Sequence, residues 1–296
     1  MFENIIGNDK IKEVLTESVK NQTATHSYLF IGISGIGKKM IAKEFAKMLL
    51  CTRENKYCNA CKSCIEFDSN NNPDFMCIEP EGNTIKIDQI RYLQRKIQEK
   101  PIISDSKVYI IDDADLMTTE AQNCLLKTLE EPPEFATIIL IGSNESLFLP
   151  TIRSRCMLLN FKPITNEKIK DFLKANYNIE NISDNVLDMF QGSIGKAIAL
   201  KDKQEEYKLI QDVIESLDKK DIIDIVNLAD PIYKQKDEIF EILDYINIIL
   251  LKKAKKQHIY ANCIDIIENT KKRLKQNANY DMSIDNMLFK IWEEVN

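Results

Sequence analysis

The chain has no apolar run near the ~20 residues that a membrane-spanning helix requires. Its opening residues, MFENIIGNDK, lack the basic and then apolar layout of an export signal, so the cytosol is the expected location and no membrane partner is expected. Positive charge is not in surplus either. Forty Lys and Arg stand against 46 Asp and Glu, a formal charge of −6. That argues against a free-standing binder of polyanions and leaves room only for a local basic face. What is present is bulk: 296 residues, 44% of them hydrophobic, ample for a packed core and for two or three domains.

Eight cysteines in a large chain without an export layout are expected to stay reduced. Cys77, Cys124, Cys156 and Cys263 are scattered through apolar surroundings and read as small buried hydrophobes. The other four are close together in CTRENKYCNACKSC: Cys51, then Cys58, Cys61 and Cys64 in a C-x2-C-x2-C run. Tetrahedral zinc takes four soft ligands, and such spacing lets a short loop wrap the ion. Four thiolates leave no open position, so the reading is structural zinc rather than catalysis. An iron–sulfur cluster or free thiols are the alternatives. Asn59, Lys62 and Ser63 argue against simple burial of these cysteines, and the loop carries little basic charge for nucleic acid.

The first half alternates strand-like and helical stretches. SYLFI (27–31), FMCIEP (75–80), KVYIID (107–112), TIILIG (137–142) and the shorter MLLNF (157–161) read as strands, with helical patterns at 38–50, 88–99 and 119–131. Such alternation predicts a parallel sheet covered on both faces, with functional groups at the carboxyl ends of the strands. After KPIT (162–165) the strand signal fades. Short helices follow, with Ser183 as an N-cap and Gly192 as a C-terminal stop. From about residue 204 the pattern is helical throughout. The stretch 236–256 predicts a long helix with Ile239, Ile242, Leu243, Ile246, Ile249 and Leu250 on one side, as a bundle core or an oligomer face. Lysines 252, 253, 255 and 256 read as its solvated end.

Between the first strand and its helix lies GISGIGKK (32–39). Strand, glycine loop and helix is the setting of the phosphate loop G-x-x-x-x-G-K-[ST], whose backbone N–H groups cradle phosphates and whose lysine reaches the terminal ones. Gly32, Gly35, Gly37 and Lys38 supply the cradle. The hydroxyl that should help hold magnesium is replaced by Lys39. KVYIIDDAD adds an apolar strand ending in Asp112, able to hold magnesium through water. Asp113 stands where many such ATPases carry a longer glutamate. Phosphate scaffolding is thus present and hydrolytic chemistry is compromised at two positions. A glycine-rich turn that binds nothing is the plainer alternative.

HSYLF, the glycine loop, the four-cysteine insert, KVYIIDDADLMTTEAQNCLLKTLEEPP and LPTIRSRC occur in that order. This resembles bacterial clamp-loader subunits of the AAA+ class over at least residues 1–200, with LLKTLEEPP and SRC the most specific parts. The resemblance implies a RecA-like AAA+ α/β module (1–162) carrying the zinc insert (51–72), a small helical lid (163–204) and an all-α collar (205–296) that joins subunits. It makes the 236–256 helix an oligomer element. It also implies a hetero-pentamer with gamma/tau and delta subunits that loads a sliding clamp onto primed DNA.

Within the family, Lys39, the short chain without a polymerase- or helicase-binding tail, and Gly195 in place of a second sensor arginine resemble the delta-prime branch, in which ATP and magnesium bind weakly or not at all. Lys196 is a possible substitute for that arginine. In the family the arginine of SRC, here Arg155, reaches into a neighbour's ATP site as an arginine finger, which can carry about 10³–10⁵ in rate. Ser143 and Asn144 both lie where a first sensor is expected. The competing expectations are an active gamma/tau-like motor or other AAA+ ATPase, and a zinc-stabilised interaction protein outside replication.

Overall fold

The computed structural model describes residues 2, 5–54, 56–221 and 228–296. The chain forms two compact units, Met1–Lys168 with Ser193–Gly195, and Ile169–Gly192 with Lys196–Asn296.

In the first unit β1 (Ser27–Ile31), β2 (Phe75–Ile78), β3 (Lys107–Ile111), β4 (Ala136–Gly142) and β5 (Met157–Asn160) make one sheet in the order β2-β3-β4-β1-β5. Every ladder is parallel. In the central pairing Ser27 lies opposite Ile138 and Ile31 opposite Gly142. All residues of β1, β3 and β4 are buried. Successive side chains enter opposite cores. Tyr28, Phe30, Val108, Ile110, Ile139 and Ile141 pack with α1 (Asp9–Lys20) and α2 (Lys38–Leu50). Leu29, Ile31, Tyr109, Ile111, Ile138 and Leu140 pack with α4 (Ile87–Ile97) and α5 (Thr119–Glu130). Burial on both faces is why these strands read as unbroken apolar runs. Each large side chain so buried contributes roughly 1.5–3 kcal/mol. Asp112 and Phe161 lie just past the strand ends but still donate N–H to Ile78 O and Ile31 O, which fixes both at the carboxyl rim.

Three helices of this unit lie outside the helical stretches read from the sequence: α1, α3 (Lys62–Asp68) and α6 (Pro150–Arg153). α1 buries only Ile11, Leu15 and Val19, one residue per turn. Asn8 precedes it in the left-handed region (φ 53°) and gives α1 no side-chain cap. Its amide instead exchanges hydrogen bonds with the Lys162 backbone, tying the helix start to the exit of the sheet.

The second unit is helical. It contains α7 (Asn166–Tyr177, entering from the first unit), α8 (Asp184–Phe190), α9 (Ile194–Leu200, of which Ile194 and Gly195 belong to the first unit), α10 (Gln204–Ser216), α11 (Asp230–Tyr233), α12 (Ile239–Ala254), α13 (Ala261–Lys275) and α14 (Tyr280–Val295). Ser183 caps α8 by accepting from Val186 N, and Gln191 and Gly192 end it with positive φ. Residues 222–227, read as part of a continuous helical region, lie outside the described residues. The long helix starts three residues late, because Lys236–Glu238 form a 3-10 turn. Its apolar stripe, with Tyr245 added, is buried against α8, α10 and α13. The stripe is therefore bundle core, and only the other face, with Phe240 and Leu251 exposed, is open to an assembly. Lys252 and Lys253 are not a solvated end. Lys252 pairs with Asp188, and Lys253 lies over the Tyr260 ring, because α8 and the turn at 258–260 pack beside them.

Candidate functional site

The carboxyl ends of β1, β3 and β4 bring the predicted phosphate-site residues together. Gly32 follows β1, and a Cβ there would meet Phe161 Cβ at 2.8 Å, so the residue must be glycine for β1 and the β5 exit to approach. Gly35 and Gly37 take φ of 74° and 97°, conformations that suit glycine. Gly37 leads into α2 without a side-chain cap, leaving the first amides of that helix directed at the loop, the arrangement that favours an anion. Lys38 is buried and donates its ammonium to Gly32 O at 2.5 Å and Ile33 O at 2.9 Å. Burial pulls its pKa down, and Asp113, Asp115 and Asp112 oppose that pull.

Lys39 shows what replaced the hydroxyl. Its ammonium lies 2.8 Å from Asp112 Oδ2 and 2.5 Å from Glu79 Oε1. Partial burial works against its charge. The two carboxylates overcome that and raise its pKa above the ordinary lysine value. Lys39 in turn holds Glu79 below the usual carboxylate range. The Asp112 carboxylate that would position a metal is thus already neutralised by an ammonium.

Asp113 adopts φ 46° and opens a 3-10 turn, Ala114–Leu116. Burial and the neighbouring Asp112 and Asp115 push its pKa up. Asp115 binds the end of β4: one of its oxygens accepts from Ser143 N at 2.9 Å, Ser143 Oγ at 2.5 Å and Asn144 N at 3.3 Å. The Asn144 side-chain oxygen instead accepts from Ser146 N and Oγ. Of the two sensor candidates, Ser143 is the one whose hydroxyl joins the aspartate cluster. Gly195 N donates to Gly35 O at 2.8 Å, and a Cβ at Gly195 would meet Gly35 Cα at 2.8 Å. A side chain there is excluded by the loop itself. Lys196 places its ammonium on Gln191 Oε1 at 2.8 Å.

Arg155 lies away from this cradle, between α6 and β5. Nη2 is 2.7 Å from Glu130 Oε1, and Nη1 donates to Thr151 O at 3.0 Å. Arg153, its near neighbour, pairs with Glu145 at 3.1 Å. Buried Gln122 anchors this region to α5: its amide donates to Leu147 O at 3.0 Å and accepts from Leu149 N at 2.9 Å, just before α6. Glu79, Asp115, Gln122 and Glu130 were not singled out by sequence. Only the LLKTLEEPP motif pointed toward Glu130.

The four clustered cysteines converge, their sulfurs all within 4.8 Å of one another. Zinc–thiolate bonds of about 2.3 Å imply sulfur separations near 3.8 Å, so a small contraction closes a tetrahedron. Three of the four thiols are buried, contrary to what their polar neighbours suggested, because they pack on one another and not in the main core. Ser63 is buried too. Its hydroxyl bonds Ser104 Oγ and receives the Asn72 amide, while Ser104 Oγ donates to Leu50 O. Burial and the sulfurs of Cys61 and Cys51 push the Cys64 thiol up. Cys61 is pulled down: burial opposes, but hydrogen bonds from Cys64 N and Thr52 prevail. Four sulfurs so divided compete for protons, and a central dication would hold all of them as thiolates. The donor set fits zinc. Of the scattered cysteines only Cys263 is fully buried; Cys77, Cys124 and Cys156 are half-buried, and Cys124 donates to Gln94 Oε1 at 3.2 Å.

A parallel α/β sheet with a glycine loop after β1 and paired aspartates after β3 defines a phosphate-loop protein of the AAA+ class. The family described as DNA polymerase III, delta subunit, matches residues 7–165, more than half of the chain. The chain belongs to this clamp-loader family of DNA polymerase III. It is 37% identical over 165 residues to DNA polymerase III subunit delta' of Bacillus subtilis, covering 55% of this chain and 50% of that one. It is 32% identical over 240 residues to subunit tau/gamma of Haemophilus influenzae, covering 76% and 35%. It is 29% identical over 290 residues to subunit tau of Bacillus subtilis, covering 97% and 48%. The chain spans half or less of the length of these relatives. Among the described residues no helix is long and apolar enough to cross a membrane.

Proposed function

We propose that this chain is a delta-prime-like subunit of a cytoplasmic clamp loader and a poor or inactive ATPase. It works in a hetero-pentamer with gamma/tau and delta subunits that loads the sliding clamp onto primed DNA. The observation that carries this reading is the Lys39 ammonium between Asp112 and Glu79. A motor site needs a hydroxyl and magnesium there to neutralise the transferring phosphate. Here a fixed side chain neutralises Asp112 instead. Gly195, pressed on the loop, has no room for a sensor side chain.

In this reading Arg155 is the finger that serves a neighbouring motor subunit's site. Cys51, Cys58, Cys61 and Cys64 hold a structural zinc that closes the 51–72 insert. The organisation is an AAA+ module (1–162), a lid (163–204) and a collar (205–296). One observation favours the alternative of an active gamma/tau-like motor: Lys38 is retained and seated on the loop carbonyls. Turnover by the isolated chain separates the two. Negligible magnesium-dependent ATP hydrolysis is expected. Robust hydrolysis abolished by Lys38→Ala would establish the motor instead.

A further inference from the structure

Arg155 is held before any partner arrives. Its guanidinium is gripped by two elements, the end of α5 through Glu130 and the last turn of α6 through Thr151 O, with Ser154 Oγ a longer contact at 3.4 Å. Glu130 is the final residue of α5. A carboxylate at a helix C-terminus faces the negative end of the dipole, so it does not serve its own helix there. Its partner is Arg155.

The chemistry of a finger sets up a competition. A phosphoryl group in a neighbour's site asks for guanidinium N–H donors, and Glu130 holds Nη2 through one carboxylate oxygen. A phosphate bearing more charge and three acceptor oxygens is the stronger claimant. The pair is also half-exposed, with Arg155 33% and Glu130 48% accessible, so water and salt weaken it. We propose that Glu130 is a latch on Arg155. It holds the guanidinium while no phosphate faces it and yields it to the neighbouring site. This rests on the reading of Arg155 as a finger acting in trans. A buried bridge would keep the finger permanently. An exposed one biases the equilibrium by about two- to five-fold, a bias a phosphate can overcome.

The test is ATP hydrolysis by the reconstituted complex without DNA, the state in which a latch matters most. Glu130→Gln removes the charge and keeps the shape, and should raise turnover at the one motor site that Arg155 serves about two- to five-fold, so that hydrolysis summed over the complex rises by a smaller factor. The rise should vanish when Arg155→Ala is present in the same chain. Glu130→Asp, with its carboxylate one methylene shorter, should give a smaller rise of the same sign, and it serves if the Gln variant assembles poorly. If Arg155→Ala lowers turnover while Glu130→Gln leaves it unchanged or lowers it, the latch is wrong and the finger stands. If Arg155→Ala changes nothing, the finger reading falls and the latch with it.

Discussion

Replacing Lys39 by methionine keeps most of the side-chain volume and removes the ammonium. Glu79, 60% accessible, then returns to water at little cost, so its arm contributes little. Asp112 is different, because its side chain is only 15% accessible and the ammonium sits 2.8 Å away. Leaving a buried acceptor without its partner costs about 1–3 kcal/mol, and the residual access of water favours the lower half of that range. For a unit of this size ~1 kcal/mol moves the unfolding midpoint by about 2–4 °C, so a fall of roughly 2–8 °C is expected. Lys39→Thr restores a hydroxyl and leaves two facing carboxylates. It should gain a magnesium response that the native chain lacks. At ten times its dissociation constant, magnesium returns about 1.4 kcal/mol. The assay is thermal unfolding of all three proteins across a magnesium titration. An unchanged midpoint in Lys39→Met, or equal magnesium responses in the native and Lys39→Thr chains, would refute the view of Lys39 as a resident counter-ion.

Metal analysis of chain purified under reducing conditions without chelator should find one zinc per molecule, and none would remove the metal site. Chelation should raise amide exchange in residues 51–72 first, then reach Leu50 and Ser104 through the Ser63 network, while β1 and β4 stay protected. Purified native chain should turn over ATP no faster than its Lys38→Ala variant in a steady-state phosphate-release assay.

The sheet was legible because parallel strands buried on both faces leave unbroken apolar runs, and the cysteine site because metal spacing is local. α1 was passed over although Ile11, Val14, Leu15 and Val19 carry a helical stripe, because the strand-and-helix alternation was followed only from the first apolar run. The contacts that give the site its character are also long-range. Lys39 meets Glu79 forty residues later and Asp112 beyond that, and Arg155 meets Glu130 at the end of the preceding long helix, α5. Sequence showed that the magnesium hydroxyl was missing; only the fold shows what its replacement holds. For the long helix, sequence gave the apolar stripe but not its destination, because a bundle core and an oligomer face have the same period.

The account rests most directly on Arg155. In a complex reconstituted with this subunit, DNA- and clamp-stimulated ATP hydrolysis should fall partially with Arg155→Ala, because one motor site loses its transition-state charge while others draw on other subunits. Folding and assembly should be nearly intact, since Arg155 is one-third accessible and its ion pair is exposed. Arg155→Lys should not restore the rate, because an ammonium lacks the planar fork. A change at Arg153, paired with Glu145, should have the smaller effect. Wild-type hydrolysis by a complex shown to contain the Arg155→Ala subunit would contradict the account.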